Sequence, residues 1–268
     1  MDLIIKSFEN SIKKISLSEL QKHRSIIDKR VVGIEKDTDR YYLFSTHSKN
    51  TKDYRFFNIK AERTLCLYLH CFTDAPNEKR DTENYSPFVD YFELALYIIG
   101  YCANNKIPIL IKPHPASSSY PSDKYYLESL IHATLNYEKT HNLSVEWVGN
   151  DFKNIYLKKL KNPILVTARG TVVSESAYLG IPSISFSKSS WYSFKNITYF
   201  VETEADFEKM FPVIDKLYKP DLSKKESILL SAALEIGYKN TAYKIGTKSL
   251  TVSNRHNLER AWKLREEI

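Results

Sequence analysis

The stretch PILVTARGTVVSESAYLGIPSISF, Pro163 to Phe186, carries the clearest architectural pattern in the chain. It opens on a short apolar run, Pro163–Thr167, and turns through Ala168-Arg169-Gly170. A helix is then expected over Thr171–Leu179, and after Gly180-Ile181-Pro182 a second apolar run follows, Ser183–Phe186. Two short apolar runs joined by a helix are the unit of a parallel sheet covered on both faces, whose strands lack the in–out alternation of a half-exposed sheet. Gly180 suits the helix exit because glycine takes the left-handed conformation at little cost. The same grammar recurs upstream, with strands at Leu65–Cys71, Ile107–Lys112 and Ser144–Val148 and helices at about Pro87–Asn104, Asp123–His141 and Lys153–Lys161. Pro87 suits a first helical position and Asn104-Asn105 an exit. Five strands with right-handed crossovers predict an α/β domain with a doubly wound, mainly parallel, Rossmann-like sheet.

The flanks differ in texture. Residues 1–64 are polar and without a long buried strand. A helix is expected over Ser18–Lys29 from a Ser cap, and short strands at Val31–Ile34 and Arg40–Ser45, separated by the turn-forming Lys36-Asp37-Thr38-Asp39. After Phe186 come a polar, aromatic loop, Ser187–Phe194, helices at about Glu204–Leu217 and Ser223–Lys239, and a last helix from Asn257. This divides the chain into a small α+β appendage (1–64), the α/β domain (65–250) and a C-terminal tail (251–268).

Composition narrows the function classes. With 268 residues, 43% apolar and 26% charged, the chain can bury a substantial core without staples. Its longest apolar stretch, Leu94–Ala103, is about half a membrane span, and the N-terminus lacks a signal h-region, so neither an anchor nor secretion is expected. The three cysteines, Cys66, Cys71 and Cys102, form no CxxC pair and no zinc spacing; they read as small core residues, and the cytoplasm is the default compartment. A net charge of +7 suits an anionic substrate, a nucleic acid or an acidic membrane face. The seven glycines form neither GxGxxG nor GxxxxGK[ST], and the 19 tyrosines are dispersed outside any nucleic-acid-binding pattern, so no nucleic-acid partner is expected.

Ligands of open α/β sheets bind beyond the carboxyl ends of the strands, which makes the residues just after each run informative. After the second strand, Lys112-Pro113-His114-Pro115 holds an imidazole between two prolines that restrict the backbone. Lys112, His114, Ser117 and Ser118 could together meet a phosphate, or the loop is simply rigid and His114 caps a carbonyl. After the fourth strand, Arg169, Gly170, Thr171 and Ser174 lie at a helix start, a common anion site, and Glu175 has the chemistry to accept from ribose hydroxyls. The alternative is capping, with Thr171 and Ser174 satisfying helix donors and Glu175 complementing the dipole. Asp74, before Ala75-Pro76, is either a general base or ordinary turn chemistry, and His70 reads as a core or supporting histidine. Ser187 and Trp191 offer a hydroxyl and an aromatic face for a sugar or base.

Ile111-Lys112-Pro113-His114-Pro115 and Thr167 to Ile184 carry a family likeness. From about Leu65 to Phe194, half the chain, the sequence resembles the C-terminal, nucleotide-sugar-binding half of GT-B glycosyltransferases of bacterial capsule and surface-polysaccharide synthesis, of the His-Pro-motif type, including sialyl- and Kdo-transferases and glycerophosphate polymerases. The resemblance implies metal-independent transfer of a sugar from a CMP- or UDP-linked donor, a substrate rather than a cofactor, to a glycan or lipid-linked glycan acceptor. It implies His114 as the donor-phosphate ligand with Thr171 and Ser174 as helpers, and a cytoplasmic protein at the inner face of the plasma membrane. A full GT-B enzyme has two Rossmann-like domains, and residues 1–64 are too few for the acceptor-binding one. An acceptor domain or partner protein is therefore expected, with Asp74 the one carboxylate nominated as base. A non-catalytic nucleotide- or glycan-binding subunit of a polysaccharide-synthesis complex is the alternative.

Overall fold

The computed structural model describes residues 16–33, 61–73, 88, 90–115, 117, 120–149, 152–186 and 197–217. Its centre is a six-stranded, all-parallel sheet of β1 (Thr64–Tyr68), β2 (Ile109–Lys112), β3 (Val145–Trp147), β4 (Pro163–Thr167), β5 (Ser183–Ser185) and β6 (Tyr199–Phe200), in the order β3-β2-β1-β4-β5-β6. The chain therefore starts in the middle, winds outward through β2 and β3, and crosses back past β1 to wind the other way. The reversal falls between β1 and β4, the position whose carboxyl-end crevice takes ligands in open α/β sheets. The Rossmann-like α/β architecture expected from the sequence is what the chain adopts.

Side-chain alternation along the strands sorts the core into two layers. Leu65, Leu67, Ile109, Ile111, Ile164 and Val166 face one side, against Leu94, Ile98 and Ile99 of α2 (Tyr91–Asn105), Leu130 of α3 (Pro121–His141) and Phe207 of α5 (Glu204–Met210). Cys66, Tyr68, Leu110 and Leu165 face the other side. They meet Val31 of α1 (Leu17–Val32), Leu157 of the 3-10 helix Asn154–Lys159, and Val173 and Ala177 of α4 (Val172–Leu179). Burial on both faces is why the strands read as continuous apolar runs.

Several boundaries differ from expectation, each for a local reason. Helix α1 is capped by Ser16, which forms a capping box with Glu19, and it runs to Val32 before Gly33 closes it at φ 67°. Val31 and Val32, expected to open a strand, are its last turn, because Val31 is buried in the second layer. The part of the N-terminal segment that is described thus packs onto the α/β unit. Helix α2 starts at Tyr91, where the Asp90 carboxylate accepts from the Glu93 amide at 2.8 Å, and closes at Lys106 (φ 54°) rather than at its asparagines. The region Lys153–Lys161 tightens to a 3-10 helix. Glu204–Leu217 divides into α5 and α6 (Ile214–Leu217) around Pro212, which has no amide hydrogen to continue the ladder. β6 was not expected: two half-buried residues carry too little pattern to announce a strand. Pro87, Arg40–Ser45, Ser223–Lys239 and the helix from Asn257 lie outside the described residues. Among the described residues, no helix is long and apolar enough to cross a membrane.

Candidate functional site

At the crevice between β1 and β4 the loops bring rings and a cation into one row. The Arg169 guanidinium, just past β4, lies over the Tyr91 ring at 5.9 Å from its centroid. Tyr91, at the start of α2, packs on His70 with centroids 4.7 Å apart, and His70 stacks on His114 at 5.5 Å with 29° between planes. The row therefore spans the ends of β4, β1 and β2. Each of its members is half-buried, so it lines the crevice rather than the core. Pro113 and Pro115 hold the backbone on either side of His114, as the sequence implies.

Behind His114 lies a buried polar cluster. Cys71 Sγ is 3.4 Å from His114 Nδ1 and 3.7 Å from Ser117 Oγ. The fully buried Asp123, in the first turn of α3, accepts from the amides of Phe72 (3.2 Å) and Thr73 (3.0 Å) and from the Thr73 hydroxyl (2.7 Å). Burial works to raise the pKa of this carboxyl. Hydrogen bonds from the Thr73 and Ser117 hydroxyls, the Thr73 amide and the Cys71 thiol outweigh it and hold the group below the ordinary carboxylate range. Asp123 thereby pins the loop after β1, and with it His70 and Cys71, to the start of α3.

A second polar network lies under the sheet, on the α1 and α4 side. Lys112 continues the alternation of Leu110 and so turns to that layer, donating to the Phe152 carbonyl (2.8 Å) and to Asn154 Oδ1 (3.3 Å), with its ammonium over the Tyr68 and Phe152 rings. The Tyr68 hydroxyl donates to the same Asn154 oxygen at 2.8 Å; burial above all, then nearby Cys66 and Glu175, keeps that phenol protonated. Asn154 Nδ2 donates to Glu175 Oε2, while Arg30 of α1 donates to Glu175 Oε1 at 3.2 Å and to the Thr171 hydroxyl at 3.0 Å.

These contacts redistribute the residues expected to hold a ligand. His114 and Arg169 come to the crevice. Lys112 and Glu175, expected at phosphate and ribose, are instead tied into the network beneath the sheet, Lys112 because the strand's alternation points it there and Glu175 because both its oxygens accept from Arg30 and Asn154. Ser117, expected to offer a hydroxyl to phosphate, is 2% exposed and belongs to the Asp123 cluster. Thr171 makes no capping bond with its side chain, since its hydroxyl takes the Arg30 donor. Gly170 sits at φ 142°, a conformation that side chains rarely adopt, which lets the chain turn from Arg169 straight into α4. Ser174 is buried in the first turn of α4 and its hydroxyl has no partner among the described residues. Asp74, Ser118, Ser187 and Trp191 lie outside the described residues.

Cys66 and Cys102 are the core thiols the sequence suggests, pushed up by burial and so neutral. Cys71 is fully buried as well, as the sequence suggests, and in addition touches His114, a contact for which its place directly after a buried strand is the available signal. Asp123, Tyr91, Arg30 and Asn154 were also missed. Of these only Asp123, an acid just after Pro121 at a helix start, has a local signature, and it points to capping rather than to a partner 50 residues away. Among the described residues, no group of three or more His, Cys, Asp or Glu is arranged to hold a metal ion. Compared with protein-family models, curated proteins and solved structures, the chain matches none.

Proposed function

We propose that this chain is the donor-binding portion of a glycosyltransferase that moves a sugar from a nucleotide-activated donor to a growing bacterial surface polysaccharide. The observation that carries the reading is the row Arg169–Tyr91–His70–His114 across the crevice where the strand order reverses, the place where α/β sheets take nucleotides. Its chemistry suits a phosphate: a guanidinium at one end, an imidazole at the other, and the N-terminus of α4 beginning three residues beyond Arg169. In this reading His114 holds the donor's phosphate while Arg169, at the other end of the row, adds positive charge, and these groups stabilise the negative charge that develops on the leaving nucleotide as the glycosidic bond breaks. The described residues form one sheet, so the acceptor is presented by chain outside this unit or by a partner, at the inner face of the membrane where such polymers grow. The basic net charge suits both that surface and the donor.

A thermal-shift panel of the full chain against CMP, CDP, UDP, GDP and ADP, with and without magnesium, tests the reading. The expected result is a rise on the order of 5 °C with a pyrimidine nucleotide at about a hundredfold its Kd. No rise with any nucleotide contradicts it. Binding with no sugar transfer, even when acceptors and a partner are supplied, would favour a non-catalytic binding subunit.

A further inference from the structure

The outer surface of the second layer carries a groove of about 610 Å³ between α1, the 3-10 helix and the last turn of α4. None of the crevice row Arg169, Tyr91, His70 and His114 lines it. One wall is the α1 stripe Gln21, Arg24, Ser25, Asp28, Lys29 and Val32, residues three or four apart that share a helix face. Burial sorts the lining into two levels. Val31 and Leu179 are 2% and 7% exposed, with half-buried Val32 and Ile155 beside them, so the floor is apolar; Arg24, Lys29 and Lys158 are exposed and stand at the rim. At a rise of about 1.5 Å per residue the stripe runs about 16 Å, the span of about five residues of extended chain.

The charge at the rim is not balanced from within. Asp28, the one acid lining the groove among the described residues, accepts from the Tyr178 hydroxyl and pairs with Arg24 at 3.9 Å. Neither Lys29 nor Lys158 has a hydrogen-bond or ion-pair partner among the described residues. Bases outnumber acids within α1 and the 3-10 helix, whereas across the sheet acids outnumber bases within α2, α3 and α5. Opposite signs on the two layers steer an acidic body to the groove side and repel it from the other.

We infer that this groove docks an acidic segment of a partner protein, about five residues in extended conformation, with apolar side chains on the Val31–Leu179 floor and carboxylates against Lys29, Lys158 and Arg24. An extended chain sends successive side chains to opposite sides, so a segment alternating acid and apolar residues sets one kind on the floor and the other at the rim. A bilayer presents a broad surface that cannot follow a concave groove, which selects a single peptide chain over an anionic lipid. The inference stands apart from the donor reading, since the groove shares no residue with the crevice row.

Calorimetric titration of the full chain at low ionic strength with an end-blocked Glu-Leu-Glu-Leu-Glu peptide tests it. Saturable one-to-one binding is expected, at least about tenfold tighter than that of Lys-Leu-Lys-Leu-Lys or Glu-Ser-Glu-Ser-Glu. Lys29→Glu/Lys158→Glu is expected to reverse the preference, taking the Lys-Leu peptide over the Glu-Leu one. Lys124→Glu/Lys139→Glu, which makes the same charge change at exposed positions on α3, should leave both affinities within about twofold. Should the groove variant fail to fold, Lys29→Gln/Lys158→Gln replaces it, with about tenfold weaker binding of the Glu-Leu peptide expected. No binding of that peptide by the parent overturns the inference, and so does an equal loss in the groove and α3 variants, which would trace the attraction to net charge alone. Retention of the parent on phosphatidylglycerol vesicles, lost in the groove variant and with no peptide bound, overturns it in favour of a lipid surface. Nucleotide binding is expected to be the same in parent and groove variant, so failure of the donor reading shows separately.

Discussion

Arg30→Ala is expected to lower the unfolding free energy by about 3–5 kcal/mol, the range for breaking a buried ion pair from one side. The guanidinium and the Glu175 carboxylate are 16% and 5% exposed, so water replaces the lost partner only in part. Removing the arginine leaves the carboxylate in a low-dielectric layer with Asn154 as its remaining donor there, and it also strips the Thr171 hydroxyl of its donor. Arg30 joins α1 to α4, so the same substitution should loosen the N-terminal helix from the sheet. The double variant Arg30→Met/Glu175→Leu removes both charges and is expected to recover a large part of the loss, since apolar replacements of a buried pair are often tolerated. Arg24→Ala is the control: its pairing with Asp28 at 3.9 Å is more than half exposed on both sides, and a change below about 0.5 kcal/mol is expected. Urea denaturation read through its midpoint checks all three. Equal, small effects for Arg30 and Arg24 would show that the network beneath the sheet contributes nothing.

Asp123→Ala is the second large effect, about 3 kcal/mol, because the Phe72 and Thr73 amides and the Thr73 hydroxyl lose a charged acceptor inside the protein. The effect carries a pH signature. The folded state holds this carboxyl below its ordinary value, so the stability it contributes is complete above about pH 3.9 and is lost as the pH falls from there through the folded value. The difference in stability between parent and Asp123→Asn should therefore shrink on acidification across that window and stay constant above it. A difference that grows as the pH falls contradicts the assignment of Asp123 as an ionised anchor.

The sheet was legible because its strands are buried on both faces. Leu65 to Tyr68 and Pro163 to Thr167 read as apolar runs, and parallel pairing follows from the helices between them. What the sequence does not hold is the side on which a polar residue at a strand end comes to rest. Lys112 and His114 are two residues apart in one short motif, yet the alternation that buries Leu110 takes Lys112 under the sheet while the turn after Pro113 leaves His114 at the crevice. Glu175 looked ready for a ligand because its partner, Arg30, lies 145 residues earlier and no local pattern links them. The Cys71–His114 contact, across 43 residues, depends on the β1–β2 register and is likewise invisible before the strands are paired. Long-range polar pairing was therefore the part that needed the structure, whereas the fold and the position of His114 did not.

In the proposed function His114 holds a nucleotide's phosphate beyond the strand ends where the strand order reverses. Calorimetric titration of the full chain and of His114→Ala with CMP and UDP bears on it most directly. Saturable binding of one of them by the parent is expected, with at least about tenfold weaker binding by the variant, the loss of one charge-assisted hydrogen bond; equal affinities in the two proteins would rule out His114 as the phosphate ligand.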